Sequence, residues 1–134
     1  MTTRRFTLAL GAALVAAPAV AVPPALYTAA QASAGADVFA QNCAMCHGQD
    51  LSGGAGPPLV GQSFAAPANK FTIGTTFADV TQQMPANAPG SLTHEQYQDV
   101  FAYLLQQNGY PSGPLALTYA QTSTSAVPMI SQKP

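Results

Sequence analysis

Cys43, Ala44, Met45, Cys46 and His47 spell C-x-x-C-H, and the chain holds no other cysteine, so both of its thiols are committed to one short stretch. Three residues apart on a helical turn, two thiols can each add to a vinyl group of one porphyrin while the adjacent imidazole is delivered beneath the iron. The pattern predicts covalent attachment of one haem c through Cys43 and Cys46, with His47 as the proximal iron ligand. Two other uses of a cysteine pair fit less well. A thioredoxin-like redox pair belongs in a βαβ pattern that the neighbouring sequence lacks. Half a zinc site needs a second set of ligands, and the other histidine of the chain, His94, would have to be joined by a carboxylate.

A length of 134 residues is that of one domain with appendages. Arg4 and Arg5 precede an apolar run from Phe6 to Val22, and Ala32-Ser33-Ala34 supplies small residues at a cleavage spacing. Residues 1–34 therefore read as a secretory signal peptide cut before Gly35, with a cut after Ala21 as the alternative. The residues after the paired arginines fit a twin-arginine signal only loosely, which favours the general secretory route. An uncleaved anchor is the competing reading, although Pro18 interrupts a run already short for a membrane span. The expectation is a periplasmic protein that meets the membrane only if this segment is retained.

Downstream of residue 34, Lys70 and Lys133 stand against Asp37, Asp50, Asp79, Glu95 and Asp99, a weakly acidic balance. So few charges argue against nucleic acid as a partner and against a docking surface built on a lysine ring, because steering needs a concentrated field. A chain this short buries a limited core, and a porphyrin at its centre would supply much of the missing apolar surface.

Asp37 to Cys43 reads as a short amphipathic helix running into the haem motif, with Asp37 near its positive end. Residues 48–70 carry many glycines and prolines without a helical period and read as a long loop that needs something to wrap around. Phe77 to Gln83 reads as a second short helix, ended by Met84-Pro85. The clearest helix is the last. Thr93 is its N-cap, Gln96 the capping-box partner, and Tyr97, Val100, Phe101, Leu104 and Leu105 form one apolar stripe before Gly109 and Pro111. Residues 35–111 thus make the domain. Residues 112–134 turn to Ser, Thr, Ala, Pro and Gly and read as a flexible C-terminal tail, with Leu115, Leu117 and Tyr119 as a weak strand-like alternation.

An iron held by His47 needs a sixth ligand or an open site, and this choice separates an electron carrier from a ligand-binding enzyme. Met1 is lost with the signal, Met45 lies between the haem cysteines and Met129 falls in the tail, which leaves Met84 as the distal iron ligand. His94, in the first turn of the last helix, reads as a surface residue. A filled His/Met site excludes oxygen and peroxide, and the soft thioether favours ferrous iron. The expected activity is one-electron shuttling, not catalysis.

These residues resemble a small class I, monohaem c-type cytochrome, on the strength of Cys43 to Gly48, Gly56-Pro57-Pro58-Leu59-Val60-Gly61, and Met84-Pro85 followed by the helix from Thr93 to Asn108. The likeness implies an all-α, small cytochrome c fold of three to four short helices and long loops wrapped around one covalent haem. It also implies that the Pro57 carbonyl accepts a hydrogen bond from His47, fixing the ring and its tautomer. The stretch Met84 to Leu92, with Asn108-Gly109-Tyr110-Pro111, is similar to periplasmic cytochromes c of acetic acid bacteria and related proteobacteria. Such relatives often carry a tryptophan before the ligand methionine, and this chain has none; Lys70, Phe71 and Phe77 stand in that region.

The function this implies is electron transfer between a periplasmic dehydrogenase or cytochrome donor and a cytochrome complex or terminal oxidase. One alternative is a haem subunit of a quinoprotein dehydrogenase complex. Another is a haem peroxidase or gas sensor whose sixth ligand is labile.

Overall fold

The computed structural model describes residues 22–134. They form six helices: α1 (Ala29–Asn42), α2 (Ala44–His47), α3 (Gln62–Ala65), α4 (Ile73–Gln83), α5 (His94–Gln107) and α6 (Tyr119–Ser123), with a 3-10 turn at Pro67–Asn69. The class is all-α, as the sequence implied. The helices number more than the expected three to four because α2, α3 and α6 are single turns in stretches with no helical period.

Each of the three long helices opens on a threonine. Thr28, Thr72 and Thr93 accept from the backbone N–H three residues on, while Gln31, Thr75 and Gln96 return a side-chain oxygen to the capping residue. Two of these boxes move the expected boundaries. α4 starts at Ile73 and not at Phe77, because the Thr72-Thr75 box nucleates it a turn earlier. α1 starts at Ala29, so Asp37 lies in its middle and not near its positive end.

The early start of α1 revises the domain boundary. Residues 22–34, expected to leave with the signal peptide, belong to the folded body. Tyr27 is 1% exposed and donates its hydroxyl to the Tyr110 carbonyl at 2.7 Å. Gln31 exchanges two hydrogen bonds with the backbone of Leu117, through Nε2 to the carbonyl at 2.9 Å and from the amide to Oε1 at 2.8 Å. A cut before Gly35 would fall inside α1 and discard both anchors. The basic start and most of the apolar run lie outside the described residues.

α1 packs across α5, and Gly35 is the point of closest approach. A Cβ at that position would collide with the Asp99 carbonyl and meet the Val100 amide nitrogen at 2.9 Å, so the two backbones touch only because Gly35 has no side chain. Phe39 and Tyr103 close the same crossing with ring centroids 5.4 Å apart. On the other side, Phe77 of α4 makes edge-on contacts at 5.1 Å with both Phe101 of α5 and Tyr119 of α6. Tyr97, Val100, Phe101, Leu104 and Leu105 are all buried, the stripe that the sequence placed on this helix.

Residues 112–134, expected as a flexible tail, are tied down along their length. Leu117, Thr122, Met129 and Ser131 are buried. Backbone amides of Ile73 and Gly74 donate to Val127 and Ser125, and those of Met129, Ser131 and Gln132 donate to Phe71, Ala65 and Asn108. The composition misled because this segment packs through main-chain hydrogen bonds, which leave no periodic apolar trace. The strand-like alternation does not form a strand: Leu117 is buried, Leu115 is exposed and Tyr119 opens α6.

Candidate haem site

Cys43 both ends α1 and precedes α2, with φ −124 breaking the helical path between them. The amides of Cys46 and His47 donate to its carbonyl at 3.1 and 3.0 Å, so Cys43, Cys46 and His47 share one tight turn. Both thiols are free, and burial, with the neighbouring Cys46 adding to it, pushes the Cys43 thiol up to about 11. Met45 between them is 89% exposed.

The glycine-rich loop after His47 folds back over the turn. Gly48 leaves α2 at φ 79, and the amides of Gly53 and Gly56 then donate to the His47 and Cys46 carbonyls, each at 2.8 Å. Leu51 takes φ 62 and is 1% exposed, a non-glycine residue held in the left-handed region by burial of its side chain. The loop carries two contacts to the imidazole. His47 Nδ1 lies 2.8 Å from the Pro57 carbonyl, and Gly56 floors the ring, since a Cβ there would sit 2.9 Å from Cε1.

A carbonyl can only accept, so Nδ1 carries the proton and Nε2 is left with its lone pair. No sealed side-chain polar atom lacks a partner among the described residues, so Nε2, which makes no hydrogen bond, opens onto accessible space. Two free thiols on one turn, beside an imidazole whose tautomer is fixed and whose outer nitrogen keeps its lone pair for a metal, fit a covalently attached iron porphyrin. No group of three or more His, Cys, Asp or Glu side chains placed to hold a metal ion is gathered among the described residues.

Met84 caps the C-terminus of α4 in an extended conformation and is partly buried. Its carbonyl accepts the Tyr97 hydroxyl at 2.7 Å, a bond from α5 to the methionine loop. The partly buried apolar side chains Leu59, Phe64, Val80 and Leu92 pack against the core. His94 is exposed and stacks on Tyr119 with centroids 3.9 Å apart. Met129 is buried in the core and does not belong to a loose tail. Of the side chains in the region of the missing tryptophan, Phe77 is in the core whereas Lys70 and Phe71 are exposed.

Residues 30–104 match the family described as "Cytochrome C oxidase, cbb3-type, subunit III". The chain belongs to this cytochrome c family. It carries haem c, attached covalently, with iron as its metal, and this cytochrome is an electron carrier by class. Over 77 residues the cytochrome is 38% identical to a thiosulfate dehydrogenase of Stutzerimonas stutzeri, a match covering 52% of this chain and 25% of that protein. It is also similar to the solved structure of the sulfane dehydrogenase SoxCD from Paracoccus pantotrophus, with a TM-score of 0.54 at 27% identity, covering 69% of this chain and 50% of the other. The cytochrome thus spans a quarter of one relative and half of the other. No helix among the described residues is long and apolar enough to cross a membrane.

Two contributors to the site escaped the sequence reading. Tyr97 looked like one more member of an apolar stripe, and nothing in a helical period marks a hydroxyl that reaches another element. Asn108 looked like the end of a helix. It is fully buried, and its side chain joins Gly61 N–H, the Leu59 carbonyl and the Leu104 carbonyl, stapling α5 to the segment after the proline loop. An asparagine directly before Gly109, at the end of the apolar stripe, was the available signal.

Proposed function

We propose that this cytochrome is a periplasmic carrier of one electron, its haem held by thioethers at Cys43 and Cys46 and its iron ligated by His47 and Met84. The observation that carries the reading is the Nδ1 contact of His47 with the Pro57 carbonyl, which spends one ring nitrogen on orientation and leaves the other for iron. Bound there, the haem supplies a reversible ferric/ferrous couple. The chain's own residues do the rest. His47 is oriented before the metal arrives, Gly56 prevents the ring from tilting, and Met84 offers a soft thioether from a loop anchored to α5. A filled sixth position excludes oxygen and peroxide and argues against the peroxidase or gas-sensor alternative.

Donor and acceptor in this reading are periplasmic redox proteins: a dehydrogenase or cytochrome on one side, a cytochrome complex or terminal oxidase on the other. Both relatives are named as dehydrogenases and are longer than this chain, which favours a second form of the proposal, a haem subunit serving a dehydrogenase. Co-purification of the exported cytochrome with a larger dehydrogenase subunit separates the two forms.

Spectroscopy of Met84→Ala tests the ligand set. Loss of the sulfur-to-iron charge-transfer band of the ferric protein, with His94→Ala unchanged, is the expected result. A band that survives in Met84→Ala rules out this thioether.

A further inference from the structure

We propose that Tyr97 is a positioning residue for the distal ligand: its hydroxyl, donated to the Met84 carbonyl, holds the methionine backbone where the thioether stays on the iron. The proposal rests on Met84 being that ligand. Tyr97 is 3% exposed, so its hydroxyl has to find a partner inside the protein. The partner is the main chain of Met84, 13 residues back on a different element, at 2.7 Å. The amide of Gly90 also approaches that carbonyl, but at 3.4 Å, and the phenol is the shorter bond.

The surroundings make this bond matter. Residues 86–91 are all exposed, and the turns within them, Ala88 N–H to Pro85 and Ser91 N–H to Ala88, stay inside the loop. α5, by contrast, is capped by the Thr93-Gln96 box and locked against α1 at Gly35. The Tyr97 hydroxyl is therefore a direct tie from a rigid helix to the backbone of the ligand residue. Without it, the thioether keeps its chemistry and loses its placement, so the sixth position opens more often to outside ligands.

Tyr97→Phe keeps the buried ring and removes only the donor. Tyr27→Phe is the control, since Tyr27 also donates a buried hydroxyl to a carbonyl at 2.7 Å, to Tyr110 and away from the methionine loop. A merely structural role for Tyr97 predicts the same behaviour in both. The proposal predicts that the holoprotein of Tyr97→Phe alone shows a weakened charge-transfer band and binds carbon monoxide in the ferrous state roughly five-fold faster, the factor carried by one net hydrogen bond. A band and a carbon monoxide rate in Tyr97→Phe equal to those of Tyr27→Phe, with the band abolished in Met84→Ala, overturn this inference alone. A band retained in Met84→Ala overturns the ligand assignment beneath it.

Discussion

Gly56 lies flat against the His47 imidazole: a Cβ added there would stand 2.9 Å from Cε1, 3.0 Å from Nδ1 and 3.3 Å from Nε2. The face of the ring thus rests on main chain while its edge is bonded to the next residue, Pro57. Gly56→Ala should push the ring off this floor and lengthen the Nδ1 contact. Overpacking of this kind costs about 1–3 kcal/mol. The expected outcome is a lower urea midpoint together with a changed absorption spectrum of the holoprotein. An unaltered spectrum at reduced stability would mean that the ring is held by other contacts.

Gly35→Ala tests the crossing of α1 and α5. At an ordinary helix position this substitution stabilises, because glycine is about 1 kcal/mol worse than alanine. Here the methyl group meets the backbone of Asp99, which cannot step aside as a flexible side chain would. The sign should reverse, with a loss at the upper end of about 1–3 kcal/mol. Denaturant unfolding at unchanged m-value checks it.

Asn108→Ala removes three side-chain hydrogen bonds at once and strands the Gly61 N–H and the Leu59 carbonyl. Each buried group left unpaired costs about 1–3 kcal/mol. The variant should therefore melt well below the parent, and Asn108→Asp, which keeps the acceptor for Gly61 but turns a buried carboxylate oxygen toward the Leu59 and Leu104 carbonyls, should not recover the loss.

How far such contacts can be read from sequence differs by kind. The haem motif is local, and its five residues act through their spacing alone. α5 was legible because cap, stripe and C-terminal glycine agree along one segment. Thr28 and Thr72 carry the same capping chemistry, but small Ala29, Ala30 and Ala32 open one helix and Gly74, Thr75 and Thr76, weak helix formers, open the other, so neither start stands out in the sequence. The C-terminal segment was misread for a deeper reason. Its partners, Phe71, Ala65 and Asn108, are engaged through backbone atoms, and backbone atoms are the same in every residue.

Asp99 gives the protein a definite pH response. Partial burial, with the charge of Glu95 adding to it, holds this carboxyl above the ordinary aspartate range. A raised value in the folded state means that the fold takes up a proton more readily than the unfolded chain. The stability so gained is fully present below the unfolded value and is lost as pH rises through the folded one. Asp99→Asn cannot ionise and should be more stable than the parent at neutral pH, with the advantage shrinking as the pH falls below the aspartate range. Asp50 runs the other way: its hydrogen bonds from Ser52 hold its carboxyl below the usual value, and it is unchanged in the comparison. An advantage independent of pH would show that Asp99 is not the group responsible.

In the exported form proposed above, the cytochrome should begin at Val22. Cleavage before Gly35 would remove Tyr27 from the Tyr110 carbonyl, Gln31 from the Leu117 backbone, and the Thr28 cap from α1. It would also expose the core around Leu117, which the N-terminal turn of α1 helps to hold in place. Cleavage after Ala21 leaves every one of these contacts intact, and Ala19-Val20-Ala21 offers the small residues that a signal peptidase requires. Intact mass of the periplasmic holoprotein checks this directly: a mass of residues 22–134 plus one haem is expected, and that of residues 35–134 plus one haem would refute it. The two polypeptides also differ in what they can withstand. A version expressed from Gly35 should unfold at a lower urea concentration than one expressed from Val22, because it starts in mid-helix with no capping residue and one buried tyrosine fewer.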